Sequence, residues 1–115
     1  MKVRIYHNPR CGKSRETLKL LRSRGIDPEI IEYLKTPPNA AGLRDLVARL
    51  GIPARELLRT KQAECKAMGL GPDTTDDEAI RAMAERPILM ERPVVVVGAR
   101  AAIGRPPEKV LELLE

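Results

Sequence analysis

Apolar residues recur along this chain at two different periods, and the points where the period changes mark its elements. Val3 and Ile5 fall on one side of a two-residue alternation, which predicts a strand over Lys2–Tyr6. Asn8-Pro9 is a turn signal, so His7–Cys11 reads as a loop. From Gly12 to about Arg24 the period becomes helical, with Leu18 and Leu21 on one face and Gly25 as the stop. Glu29–Tyr33 predicts a second strand, closed by the stiff Thr36-Pro37-Pro38 turn. Leu43, Leu46, Val47 and Leu50 then recur at helical spacing up to Gly51, and Pro53–Leu58 reads as a short helix. Thr75 followed by Glu78 predicts a capping box that opens a helix to about Glu85, where Arg86-Pro87 stops it. Pro93–Val97 and about Arg100–Gly104 are strand-like, joined by Gly98-Ala99 as a tight hairpin. Pro106-Pro107 opens a final helix with Val110, Leu111 and Leu114 facing inward.

The first strand, helix and strand fit a βαβ unit, and hence two parallel strands. The full order is β-α-β, a helical insert over about residues 40–86, then β-β-α. It predicts one α/β domain over residues 1–115: a mixed four-stranded sheet flanked by helices, arranged as in the thioredoxin-like fold. A chain of 115 residues is long enough to bury a core, but that core must be aliphatic: there is no Phe or Trp, and only Tyr6 and Tyr33. No apolar run approaches the roughly 20 residues that span a bilayer, and the N-terminus has no apolar leader. Two cysteines, Cys11 and Cys65, argue for a reducing compartment and against a disulfide scaffold, so the cytoplasm is expected. One histidine and two widely separated cysteines predict no metal site.

Charge narrows the partners. The 21 basic and 16 acidic residues leave a net +5, and 14 of the basic residues are arginine. That balance favours anions. Nucleic acid is not expected, because there is no polybasic block and almost no aromatic surface for base stacking. Small oxyanions suit an arginine-rich chain, since the guanidinium fork matches their geometry.

The chemistry concentrates at Cys11. It stands at the start of the predicted first helix, where unpaired backbone N–H groups and the positive end of the helix dipole favour an anion. That setting, with Arg10 and Lys13 nearby, lowers a thiol's pKa and raises its thiolate fraction. Ser14 is placed to donate a hydrogen bond to the sulfur from the first turn. His7 lies close by as an auxiliary group, electrostatic if protonated. In Cys11-Gly12-Lys13-Ser14, serine stands where a disulfide exchanger carries its second cysteine. An oxidised or adducted Cys11 must therefore be released by an external thiol, such as glutathione, or by distant Cys65, which reads as structural or incidental. Thr17 stands where cysteine phosphatases close their oxyanion loop with an arginine, so that class is excluded.

His7-Asn8-Pro9-Arg10-Cys11-Gly12-Lys13-Ser14-Arg15, followed by Thr17-Leu18, resembles the signature of the glutaredoxin-coupled arsenate reductase family. Tyr33-Leu34-Lys35-Thr36-Pro37-Pro38, Leu57-Leu58-Arg59, Arg86-Pro87-Ile88-Leu89, Arg92-Pro93 and Arg105-Pro106 agree with it in order and spacing. The likeness covers nearly the whole chain and is least diagnostic over residues 61–73. It implies that Cys11 attacks arsenate while Arg59, Arg92 and Arg105 hold the oxyanion, with Pro93 as the cis-proline beside the site. It also implies glutathione as co-substrate, glutaredoxin as partner and no tightly bound cofactor. Nothing demands more than a monomer. The chain ends at Glu115, without the C-terminal extension some members carry, which leaves the last helix short.

Two other readings share these features. A relative of the same fold could use Cys11 for glutathione-dependent thiol exchange on another substrate; the three arginines and Ser14 weigh against it. A redox-responsive regulator that binds RNA polymerase would sense oxidation through paired cysteines in the first loop, and Ser14 removes one of that pair.

Overall fold

β1 (Val3–His7) and β3 (Val94–Val97) are the inner strands of a four-stranded sheet, ordered β2-β1-β3-β4, with β2 (Glu29–Glu32) and β4 (Arg100–Ile103) at its edges. β2 runs parallel to β1, with Ile5 opposite Ile30, while β3 runs antiparallel to both β1 and β4. A parallel pair needs a crossover, and α1 (Gly12–Ser23) supplies it. The antiparallel pair β3–β4 needs only the two-residue turn Gly98-Ala99. This is the mixed, thioredoxin-like sheet that the order of elements predicts. The computed structural model describes residues 2–114, in two compact units: 2–36 with 92–114, and 37–91.

The sheet unit is held by one aliphatic cluster. Val3 and Ile5 of β1, Val95 of β3, Leu18 and Leu21 of α1, and Val110 and Leu113 near the C-terminus pack together. Ile5, Leu21, Val95 and Val110 are fully buried, each worth roughly 1.5–3 kcal/mol relative to a solvated side chain.

Most elements end within a residue of the sequence reading, and Pro53–Leu58 is a 3₁₀ turn over Ala54–Leu57; two differences change what a side chain does. β1 extends one residue further, so His7 is a strand residue and not part of the loop. It pairs with Glu32 and, two and four positions after the buried Ile5 and Val3, turns to the same buried face. The last helix is a 3₁₀ helix over Pro107–Leu114. Its three-residue period buries Pro107, Val110 and Leu113 in register, so Leu113 takes the inward place expected of Leu111 and Leu114, which are half-buried.

The second unit is helical. α2 (Ala40–Leu50) starts at Asn39, whose side chain accepts the Gly42 N–H at 2.8 Å. It ends at Gly51, whose φ of 68° lets its N–H turn back to Val47 and Ala48. A 3₁₀ turn (Ala54–Leu57), α3 (Ala63–Ala67) and α4 (Asp76–Glu85) follow, then a second 3₁₀ turn (Pro87–Leu89). α4 packs against α2 and both 3₁₀ turns. The predicted capping box is present: Thr75 accepts the Glu78 N–H, and Glu78 accepts the Thr75 N–H. Leu58 and Met90 form an antiparallel bridge that joins the segments following the two 3₁₀ turns. α3 and this bridge escape a sequence reading because neither is long enough to display a period.

Thr75→Ala should lower stability to urea unfolding by about 1 kcal/mol, because it orphans helix N–H groups without touching the buried face. An effect near zero would show that α4 is held by packing alone.

Candidate active site

Cys11 is the N-cap of α1, with extended backbone (φ −94°, ψ 122°) and only 8% of its surface exposed. The loop that delivers it is fixed by short hydrogen bonds. The Cys11 N–H donates to the Asn8 carbonyl at 2.9 Å, and the Arg10 N–H to the Asn8 side-chain oxygen at 3.0 Å. Arg15, one turn into the helix, reaches back to donate to the Pro9 carbonyl at 3.0 Å. Its backbone N–H closes the first helical bond on the Cys11 carbonyl at 3.0 Å.

Burial alone pushes the Cys11 thiol up. The Ser14 N–H, the Arg92 charge, the Lys13 N–H and the Arg105 charge together outweigh it and hold the thiol below its ordinary value. The Arg105 guanidinium donates to the sulfur at 3.7 Å through Nη2, while its Nε donates to the Arg92 carbonyl at 2.9 Å. Both arginines flank β3 and β4, and both precede a cis-proline, Pro93 and Pro106. The Gly104 N–H donates to the Pro93 carbonyl at 2.9 Å. A Cβ on Gly104 would lie 2.6 Å from Thr17 Oγ1 and 2.9 Å from Pro93 Cγ, so only glycine lets the end of β4 come this close to α1.

Ser14 acts through its backbone more than the sequence foretells. Its hydroxyl accepts the Asn8 N–H at 3.0 Å and lies 2.6 Å from His7 Nδ1. A hydroxyl proton given to His7 is not available to the sulfur, whereas the Ser14 N–H lowers the sulfur's pKa. His7 is 6% exposed, and its pKa is lowered, chiefly by burial and then by Arg22 and Arg15, against the pull of Glu32. It is therefore neutral near pH 7 and orients Ser14; the electrostatic help expected of a protonated His7 is absent at that pH. Asn8 and Arg15, the residues that clamp the loop, carry no local signal of that role, since Asn8-Pro9 reads only as a turn and Arg15 only as part of the family signature.

Cys11, Ser14, His7, Arg92 and Arg105 thus converge within the sheet unit. Arg59 lies in the helical unit, where its Nε faces Glu91 Oε1 at 3.7 Å. Cys65 is fully buried there, and burial pushes its thiol up, away from the reactive thiolate form. No cluster of metal-binding side chains occurs among the described residues, and no helix among them is long and apolar enough to cross a membrane.

A thioredoxin-like sheet that carries one cysteine of lowered pKa at a helix start, with Ser14 in place of a second thiol and Arg92 and Arg105 beside it, defines the class of protein. The chain belongs to the ArsC family, whose profile matches residues 6–113. It is 54% identical to the uncharacterized protein YfgD of Escherichia coli K12, over 97% of this chain and 96% of that protein. It is 45% identical to an arsenate reductase of Rhizobium meliloti, over 99% of this chain and 82% of that protein. The solved arsenate reductase of Vibrio cholerae superposes with a TM-score of 0.94 at 48% identity, covering 98% of each chain.

Iodoacetamide should modify Cys11 with a pH midpoint below that of an ordinary thiol and leave Cys65 untouched until the protein unfolds. Arg105→Ala should move that midpoint upward, since a lost cation disfavours the thiolate. A midpoint unmoved by this change would remove Arg105 from the electrostatics of the site.

Proposed function

We propose that this protein reduces arsenate to arsenite through a covalent bond between Cys11 and arsenic, with glutathione and glutaredoxin as reductants. The observation that carries the reading is the convergence of Arg105, Arg92 and the first N–H groups of α1 on a buried, low-pKa sulfur. Such a place favours a nucleophilic thiolate and a bound oxyanion together. The arsenate reductase names of relatives near 45% identity point the same way.

In this reading Arg59, Arg92 and Arg105 hold the oxyanion through charge-assisted, forked hydrogen bonds that offset its desolvation. The Cys11 thiolate attacks arsenic and an arsenate oxygen leaves as water, with arsenic still pentavalent. Glutathione adds to the same arsenic through sulfur and displaces a second water. A glutaredoxin thiolate then attacks the glutathione sulfur, forming a mixed disulfide and leaving two electrons on arsenic. Trivalent arsenic remains on Cys11 until water releases it as arsenite and restores the thiolate. Arsenite is neutral near pH 7, so reduction removes the charge that the arginines grip. Ser14 and His7 serve the first step by fixing the helix start and so the thiolate. The dependence on external thiols fits a protein of the reducing cytoplasm.

The test is arsenate-dependent NADPH oxidation with glutathione, glutaredoxin and glutathione reductase supplied. The native protein should turn over, Cys11→Ser should fall to background, and Arg92→Ala or Arg105→Ala should lose at least about tenfold in kcat/KM. A silent native protein whose Cys11 still alkylates readily would make arsenate the wrong substrate and put thiol exchange first.

A further inference from the structure

Arg59 is presented by a short backbone pairing. Its N–H donates to the Leu89 carbonyl at 2.8 Å, and the Glu91 N–H donates to the Leu57 carbonyl at 2.7 Å, on either side of the Leu58–Met90 bridge. Leu58 and Met90 are both buried, 3% and 0% exposed, so the pairing is anchored. Residues 59 and 91 are diagonal neighbours across it, within reach of each other for long side chains. Glu91 Oε1 lies 3.7 Å from Arg59 Nε, with the two side chains 28% and 22% exposed. Arg92 is the next residue in the chain after Glu91.

A carboxylate beside an anion-binding arginine is costly unless it serves that arginine, because it repels the anion the arginine is meant to hold. Arginine has many rotamers, and binding must order them unless they are ordered in advance. Glu91 meets the guanidinium on its Nε side, the side nearest the chain, which leaves the terminal nitrogens for an anion.

We propose that Glu91 is a positioning residue for Arg59, pre-ordering its guanidinium for the oxyanion. The inference rests on the reading of Arg59 as an oxyanion ligand. Positioning and simple electrostatics predict opposite signs. If Glu91 only neutralises Arg59, removing its charge tightens oxyanion binding. If it positions Arg59, removing it weakens binding although a repelling charge has gone.

The experiment is protection of Cys11 from iodoacetamide by arsenate in the full chain, for the native protein, Arg59→Ala, Glu91→Ala, Glu91→Gln and the double alanine variant. Glu91→Ala should raise the half-protecting arsenate concentration by roughly fivefold. The pH midpoint of alkylation without arsenate should stay where it is, a readout that general loosening of the site would move. Glu91→Gln should recover part of the loss, because its amide oxygen can still face Nε. The double variant should be no worse than Arg59→Ala alone. Glu91→Ala with unchanged or tighter protection, while Arg59→Ala weakens it, overturns the role of Glu91 alone. No protection of the native protein, or Arg59→Ala behaving as native, overturns the oxyanion reading of Arg59 and the inference with it.

Discussion

A cysteine at a helix N-cap puts two demands on the same few atoms. The first turn of α1 has N–H groups with no carbonyl to meet, and Cys11 contributes no side-chain oxygen to cap them as serine or aspartate would. A thiolate answers the first demand, since negative charge on the sulfur is favoured by the Ser14 and Lys13 N–H groups. Those donors answer the second, since with Arg92 and Arg105 they lower the pKa of a largely buried sulfur that burial alone would raise. Helix start and thiol therefore depend on one local arrangement. The clamped loop, the Ser14–His7 contact and the flanking arginines all act by holding it in place.

The sheet explains how so small a chain assembles the rest. The β3–β4 hairpin starts just after Arg92 and ends just before Arg105, so one turn returns both arginines to the same end of the sheet. Gly104 lets that end approach Thr17 and Pro93 closely enough for Arg105 to reach the sulfur. The Arg92 carbonyl then fixes the Arg105 side chain through Nε. Backbone topology, with a single missing Cβ, does the positioning that a larger enzyme would spread over several loops.

Most of the fold was legible because its elements are long enough to show a period. Leu18 and Leu21 announced α1, Thr75 with Glu78 announced α4, and Gly98 announced the hairpin. Failures cluster where a few residues decide. His7 looked like a loop residue because the Asn8-Pro9 turn signal lies beside it, yet the strand's alternation continues through it. The final helix winds at three residues per turn, so Leu113 takes the place expected of Leu111 and Leu114. At the site, Cys11 was legible from its place before a helix, because that chemistry follows from local geometry. Arg92 and Arg105 were legible only by resemblance, since nothing local separates two arginines from the other twelve. The Ser14 N–H, the Asn8 clamp and the Glu91 contact depend on distances that no linear pattern encodes.

The central claim is that the Cys11 sulfur bonds to arsenic. X-ray absorption at the arsenic edge tests it directly, on protein incubated with arsenate while glutathione and glutaredoxin are withheld. The account predicts pentavalent arsenic with one sulfur neighbour beside its oxygens, and an all-oxygen shell in Cys11→Ser. Arsenic surrounded only by oxygen in the native protein, with Cys11 still freely alkylated, would contradict it.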